Sequence, residues 1–349
     1  MRVAVVGATG VVGTRLLELL RERSFPATEV VPFATARSAG KAIPFGDGEL
    51  TVRELTEDAV AGFDLALFSA GGSTSGEWAP RFAAGGAVVV DNSSFWRMHD
   101  DVPLVVAEVN PEALDGHRGI VANPNCSTMQ MVVALKPILD RAGIERLVIT
   151  TLQSVSGTGR AAIDELRDQS HMLLHDQEPP APATYPHRIA FNVLPQAGAF
   201  APGDDTTDEE RKLVNETRKI LGRPDIRVSA TCTRVPVYVG HSESVNVETT
   251  EPLSAEDCRT LLAGAPGLCV LDDPDHGLYP LAIEAEGRDD VLVGRIRDDP
   301  SHPRALNLWV VADNLRKGAA TNAVQLAELL VERGLVGRGR AAAEAPAAR

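Results

Sequence analysis

The opening of the chain constrains its fold more than any other stretch. Arg2–Val6 is a short apolar run rich in β-branched residues, and it leads directly into Gly7-Ala-Thr-Gly-Val-Val-Gly13. Residues 14–23 then follow a helical pattern, with Leu16, Leu19 and Leu20 on one face and Arg15, Glu18 and Arg21 left for solvent. Strand, glycine turn and helix together open a βαβ unit. The glycines at 7, 10 and 13 are spaced GxxGxxG rather than GxGxxG. A bare tight turn would share that spacing. Between a first strand and a first helix, glycines serve where backbone must approach a pyrophosphate and where the helix packs closely on its strand.

Further apolar strands are expected at 30–34, 65–69 and 87–91, separated by turns and helical segments. That alternation predicts a Rossmann-type, doubly wound parallel sheet over about 1–127. Residues 71–76 read as a loop beyond a strand end, where open α/β sheets gather their ligands. The pattern then changes. Strands are expected at 147–153, 228–238, 244–250, 291–297 and 306–312, and Ser244-Val-Asn-Val-Glu248 alternates in period two. This predicts an α+β domain over 128–312 built on a largely antiparallel sheet with one solvated face. Helices are expected at 161–174, 207–221 and 318–333. The four prolines within 177–186 mark a loop, and 336–349, rich in Ala, Gly and Arg, reads as a flexible tail.

Composition narrows the function. A net charge of −14 argues against a nucleic-acid surface, and no apolar run approaches a membrane span. The N-terminus lacks a signal-peptide cleavage pattern, so a cytoplasmic protein is expected. The four cysteines, Cys126, Cys232, Cys258 and Cys269, include no CxxC pair, so neither a disulfide framework nor a metal site is expected.

Cys126 stands out among the four. It follows Asn-Pro-Asn after a short strand, and Met131, Leu135, Ile138 and Ala142 continue one helical face beyond it. Its sulfur thus lies at a helix N-terminus, where the dipole favours a thiolate, although burial as a structural thiol is the commoner fate of a free cysteine. Gln153-Ser-Val-Ser-Gly-Thr-Gly159 follows a strand and is either a plain loop or an amide and a glycine backbone placed for reaction. Arg234 on a strand can grip a carboxylate. His241, past Gly240, suits a proton shuttle near pH 7 or a capping role. Arg97 either binds an anion or pairs with Asp100 or Asp101. The second strand ends in Ala34-Thr-Ala-Arg-Ser38 with no acidic residue for a ribose, so Arg37 and Ser38 favour the 2′-phosphate of NADP over NAD. Thiolate, histidine, nicotinamide and anion-binding arginines suggest attack on an activated carbonyl, a thioester, and its reduction to an aldehyde.

In order and spacing, these segments resemble the aspartate-β-semialdehyde dehydrogenase family from the first strand to about residue 330. The carrying motifs are the Gly7–Gly13 turn, Asn-Pro-Asn-Cys-Ser-Thr around Cys126 and Gln-Ser-Val-Ser-Gly from Gln153. Further on come Phe-Asn-Val-Leu-Pro-Gln from Phe191, Arg-Val-Pro-Val-Tyr-Val-Gly-His-Ser from Arg234 and Asp-Asn-Leu-Arg-Lys-Gly-Ala-Ala from Asp313. The resemblance implies NADPH-dependent reductive dephosphorylation of L-aspartyl-4-phosphate to L-aspartate-4-semialdehyde, on the way to lysine, threonine, methionine and isoleucine. It implies Cys126 as nucleophile, His241 as acid/base and Gln153 as the group orienting the carbonyl. Arg234 would hold the substrate α-carboxylate, Glu209 its amino group, and Arg97 and Lys212 the phosphate. Gly7, Thr9, Gly10, Val11 and Val12 would cradle the pyrophosphate, with Ser156, Gly157 and Asn314 at the nicotinamide end. It also implies that 313–335 completes the NADP domain and that 128–312 carries a homodimer interface. Ala70 stands where some members have a glutamine before the paired glycines, so that side-chain contact is missing. The related N-acetylglutamyl-phosphate reductases share the chemistry, but the Glu209–Lys212 pair and the Arg234-to-His241 spacing favour the aspartyl substrate. A non-catalytic NADP-binding paralogue would have no reason to keep Cys126, Gln153, Arg234 and His241 together.

Overall fold

The computed structural model describes residues 1–201 and 203–336. The chain forms two compact units, one comprising Met1–Pro124 and the segment from Ala319 onward, the other Asn125–Gly318.

In the first unit the strands and helices run β1 (Arg2–Val6), α1 (Val11–Glu22), β2 (Glu29–Ala34), β3 (Ala42–Phe45), β4 (Gly48–Thr51), β5 (Arg53–Glu54), β6 (Leu65–Phe68), α2 (Gly72–Ala84), β7 (Val88–Asp91) and β8 (Ile120–Ala122). Six strands form a wholly parallel sheet in the order β5-β2-β1-β6-β7-β8, and β3 and β4 form a separate hairpin. Val3 and Val5 point to one face and pack with Leu16, Leu19, Leu65 and Leu67. Ala4 and Val6 point to the other, against Phe33, Phe63, Phe68 and Phe82, whose rings meet mostly edge to face. Apolar residues on both faces of β1 are what a doubly wound sheet requires. One expectation fails here. Of residues 71–76, read as a loop, Gly71 is the N-cap and 72–76 begin α2, because Ala79 and Phe82 bury a helical face and the glycines of the first turn mask it.

The second unit contains α3 (Cys126–Ala142), β9 (Arg146–Gln153), α4 (Arg160–Leu174), α5 (Asp208–Leu221), β10 (Arg227–Arg234), β11 (His241–Glu248), α6 (Ala255–Ala263), β12 (Leu268–Val270), α7 (Ala282–Ala285), β13 (Val291–Asp298) and β14 (Ala305–Ala312). Its six-stranded sheet has the order β10-β9-β11-β14-β13-β12. The three central pairings are antiparallel, while β10–β9 and β12–β13 are parallel. A parallel β9–β10 pair needs a long crossover, which α4, α5 and the proline-rich loop provide. β10 stops at Arg234 rather than at 238 because Pro236 has no N–H to continue the ladder. β11 begins at His241, three residues before the expected strand, since its first polar side chains face a buried polar interior rather than an apolar one.

The last helix, α8 (Asn322–Glu332), belongs to the first unit and buries Ala323, Val324, Ala327 and Leu330 there. Residues 313–318, expected with that unit, fall in the second. The reason is polar: the Asp313 carboxylate accepts from Gly287 N–H at 2.8 Å and Asn314 Oδ1 from Gly240 N–H at 2.9 Å. Residues 125–127, expected at the end of the first unit, likewise fall in the second, which begins at Asn125. Apart from residue 336, the expected tail at 336–349 lies outside the described residues.

Candidate active site

Cys126 is the first residue of α3, and Asn125 caps that helix: its Oδ1 accepts from the Ser127 and Thr128 N–H groups at 3.0 and 3.2 Å. The same asparagine uses its Nδ2 to reach Glu209 Oε1 at 2.7 Å, and its backbone N–H donates to Glu216 at 2.7 Å. The start of the cysteine helix is thereby bolted to α5. Gly318 packs on the cysteine from the other side, where an added Cβ would stand 2.8 Å from Cys126 Cβ.

The sheet lays the other groups in a row. Arg234 pairs in register with Gln153, and His241 comes one step beyond the Ser242–Leu152 pair, opposite Ala312. Arg234, Gln153 and His241 are all buried on the face that meets α3. Gln153 Nε2 donates to Ser127 Oγ at 2.8 Å and to Glu209 Oε1 at 3.3 Å. Arg234 donates from Nη1 to the Ser154 carbonyl at 2.7 Å, while its buried Nε has no partner. A buried guanidinium with an unused edge fits an incoming carboxylate.

The Ser154 N–H donates to His241 Nδ1 at 3.0 Å. An acceptor at Nδ1 leaves the ring proton on Nε2, which is buried and without a partner. Burial, helped by the Arg234 charge, lowers the imidazole pKa to about 3, against a slight opposing pull from Glu209. His241 is therefore a neutral Nε2–H donor in this state, and not the shuttle poised near pH 7 that its residue type suggests. A bound carboxylate on Arg234 would remove part of that depression.

Burial would raise the Glu209 carboxyl, but Lys212, Asn125 and Arg234 outweigh it and hold the group at about 2. Lys212 Nζ donates to Glu209 Oε2 at 3.0 Å and to Asp208 at 2.7 Å. Although burial works against its charge, these carboxylates push its pKa above the usual lysine value. Asn314 is a hub: Ser154 Oγ, Ser156 Oγ and Gly240 N–H all donate to its Oδ1, at 3.0, 3.2 and 2.9 Å. Gly157 faces His241 and Arg234 so closely that a Cβ would lie 3.1 Å from each. Of the remaining cysteines, Cys232 and Cys258 are buried, which pushes both thiols up, Cys258 to about 12.

The remaining candidates belong to the first unit. Gly7 adopts φ 83°, and a side chain there would strike the Ser69 carbonyl; one at Gly13 would strike the Gly7 carbonyl. α1 begins at Val11 after Gly10 with no side-chain cap and no acidic residue in its first turn, and Thr9 and Gly10 are exposed. These features fit a pyrophosphate. Gly7 and Ala8 N–H groups donate to the Phe33 carbonyl at 2.9 and 3.1 Å, tying the turn to the end of β2, just before Arg37 and Ser38. Arg37 is exposed and Ser38 buried on a short 3₁₀ turn. Arg97 is buried and donates to the Asn123 and Asn92 carbonyls at 3.0 and 2.8 Å, while Asp101 pairs with Arg118.

Asn125, Ser127, Ser154 and Gly318 hold the site together without an individual role that the sequence alone assigns. An asparagine just before a helical run is a readable cap signal. Gly318 carries no local signal, since its constraint comes from a residue 192 positions away in the chain (318 minus 126).

A parallel nucleotide-binding unit with an open glycine turn, and a second unit centred on a helix-capped cysteine, define a nicotinamide-dependent oxidoreductase. The family described as semialdehyde dehydrogenase, NAD binding domain, matches residues 2–117, and semialdehyde dehydrogenase, dimerisation domain, matches 135–317. The chain belongs to the aspartate-semialdehyde dehydrogenase family, enzymes of amino-acid biosynthesis. It is 56% identical to the Aquifex aeolicus aspartate-semialdehyde dehydrogenase over 96% of this chain and 99% of that one. The Streptomyces akiyoshiensis enzyme is 49% identical over 95% and 98%. Among solved structures, Vibrio cholerae aspartate semialdehyde dehydrogenase II in complex with ASA superposes with a TM-score of 0.92 at 50% identity, covering 95% of this chain and 98% of that one. The Candida albicans enzyme with NADP gives 0.73 at 28% identity, covering 96% and 99%. Among the described residues no helix is long and apolar enough to cross a membrane.

Proposed function

We propose that the chain catalyses reductive dephosphorylation of L-aspartyl-4-phosphate to L-aspartate-4-semialdehyde through a thioester on Cys126. The observation that carries this reading is the pair of unused buried donors, Arg234 Nε and His241 Nε2, on the same face as Gln153 and beside the cysteine helix. Arg234 receives the α-carboxylate along its free edge, and Glu209, kept ionised, faces the α-ammonium. The Cys126 thiolate attacks the acyl carbon; its C–S bond forms as the C–O bond to phosphate breaks. Lys212 and Arg97 stabilise the departing phosphate. The bound NADPH would supply the hydride for reduction of the thioester, after which the C–S bond breaks and Cys126 leaves as its thiolate with release of the aldehyde. His241 holds its Nε2 proton against the carbonyl oxygen where negative charge develops, and Gln153 orients that carbonyl. Gly157 leaves the space that a side chain would fill over His241 and Arg234. Arg37 and Ser38 favour NADP over NAD, and the chain works as a homodimer.

Phosphate-dependent reduction of NADP with L-aspartate-β-semialdehyde tests this. Activity that requires phosphate, prefers NADP and vanishes in Cys126→Ser is expected. A folded, NADP-binding protein that turns over only N-acetylglutamate semialdehyde would overturn the substrate; undiminished turnover in Cys126→Ser would overturn the nucleophile.

A further inference from the structure

Directly behind the catalytic row lies a second polar row on the same face of the sheet. In register across β10, β9, β11 and β14 it reads Cys232, Thr151, Glu243, Val310. It alternates with the row of Arg234, Gln153 and His241, two residues away on each strand, and the next row inward, Ala230, Ile149, Val245 and Leu308, is nonpolar. Glu243 is completely buried, and neither of its carboxyl oxygens has a hydrogen-bond partner. α3 covers it with Gln130, one turn after Cys126. Gln130 Nε2 donates to the His241 carbonyl at 3.3 Å and to the Val310 carbonyl at 3.5 Å, while its Oε1 has no partner. Thr151 Oγ1, paired directly across from Glu243, also has none.

The donors and acceptors in this row do not balance if Glu243 is ionised. A carboxylate only accepts, and so does the free Gln130 oxygen. The Gln130 amide nitrogen is engaged by the two carbonyls, so an ionised Glu243 and the free Gln130 oxygen would leave unsatisfied acceptors in one dry interior, which is costly. One proton on Glu243 converts it to a donor and resolves the count. No opposing cation acts on this carboxyl; burial raises its pKa well above the usual carboxylate value and outweighs the opposite pull of the neighbouring Gln130 amide. The neighbouring Cys232 thiol is likewise kept protonated by burial.

We propose that Glu243 is a positioning residue that donates its carboxyl proton to Gln130, fixing the amide that in turn holds the His241 backbone carbonyl. Glu243 touches neither substrate nor cofactor, and it acts on the reaction only through His241. The functional half of this proposal rests on the role given to His241 above; the protonation of Glu243 does not.

The test has two independent readouts. The infrared spectrum of the wild-type protein near neutral pH should contain a protonated-carboxyl band that disappears in Glu243→Gln, and no substrate is needed to see it. In steady-state kinetics, Glu243→Leu should lose about tenfold in kcat at little-changed KM, the effect of one lost buried hydrogen bond. Glu243→Gln, which keeps a donor beside an acceptor, should recover most of that loss. If Glu243→Leu fails to fold, the Gln variant and the infrared band decide. Absence of the band in wild type, a Gln variant as impaired as Leu, or full kcat in Leu would each overturn the proposal. Wild-type protein that shows the band but does not turn over the aspartyl substrate would instead refute the proposed reaction.

Discussion

Gly318→Ala should disable the enzyme without a residue of the reaction being changed. The new methyl carbon would stand 2.8 Å from Cys126 Cβ and 3.3 Å from its Cα, with Asn314 Cβ at 3.6 Å closing the remaining side. Carbon atoms in contact rest about 3.5–4.0 Å apart, so the cysteine and the turn must separate by roughly 1 Å. Cys126 cannot yield cheaply, because Asn125 ties its helix to Glu209 and Glu216. A displacement of about 1 Å at a reacting atom costs on the order of 100-fold in rate. The assay is kcat/KM for phosphate-dependent NADP reduction, with the rate of Cys126 alkylation by iodoacetamide and the melting temperature measured alongside. Gly116→Ala, where an added Cβ meets nothing within 4 Å, is the control. A Gly318→Ala enzyme within about threefold of wild type in kcat/KM would show that the turn yields freely and that the steric reasoning is wrong.

Arg234→Lys should raise KM for the semialdehyde by about tenfold or more, because an ammonium has no planar edge to replace the unused Nε; an unchanged KM would remove Arg234 from carboxylate binding. Glu209 is held at about 2 against an ordinary value of 4.5, a depressed carboxyl, so its stabilising contribution is full above about 4.5 and is lost as pH falls toward 2. The gap in urea midpoint between wild type and Glu209→Gln should therefore narrow on going from pH 6 to pH 3, and a gap independent of pH would contradict the assignment.

What could be read from sequence was local. The Gly7–Gly13 turn declares itself because strand, glycines and helix are contiguous, and Cys126 does so because the cap and the apolar face of α3 follow one another directly. α2 was missed at its start because glycines at 71, 72 and 76 carry a turn signal that Ala79 and Phe82 override only by packing. The protonation of His241 was beyond the sequence for a different reason. Its tautomer is set by the Ser154 N–H, 87 residues away, and its neutrality by burial, neither of which leaves a mark near His241. The second polar row is also invisible in one dimension, since Gln130, Thr151, Cys232 and Glu243 meet only after four elements assemble. The mixed character of the second sheet was half legible: alternation in β11 announced antiparallel neighbours, but nothing near Arg227–Arg234 announces that β10 runs alongside β9 in the same direction.

That shared direction has a consequence for how such an enzyme can vary. Gln153 and Arg234 are the last residues of β9 and β10, and they stand side by side only because both strands arrive at the same edge. Reversing one strand would carry Arg234 to the far end of its neighbour, about 23 Å off at 3.3 Å per residue. The excursion that joins them is anchored there too: Leu194, between α4 and α5, exchanges both backbone hydrogen bonds with Arg234, at 2.9 and 2.8 Å, and Ala197 N–H donates to the Cys232 carbonyl at 3.0 Å, so length can change only in the parts of that stretch away from 194–197 while the two side chains keep their spacing.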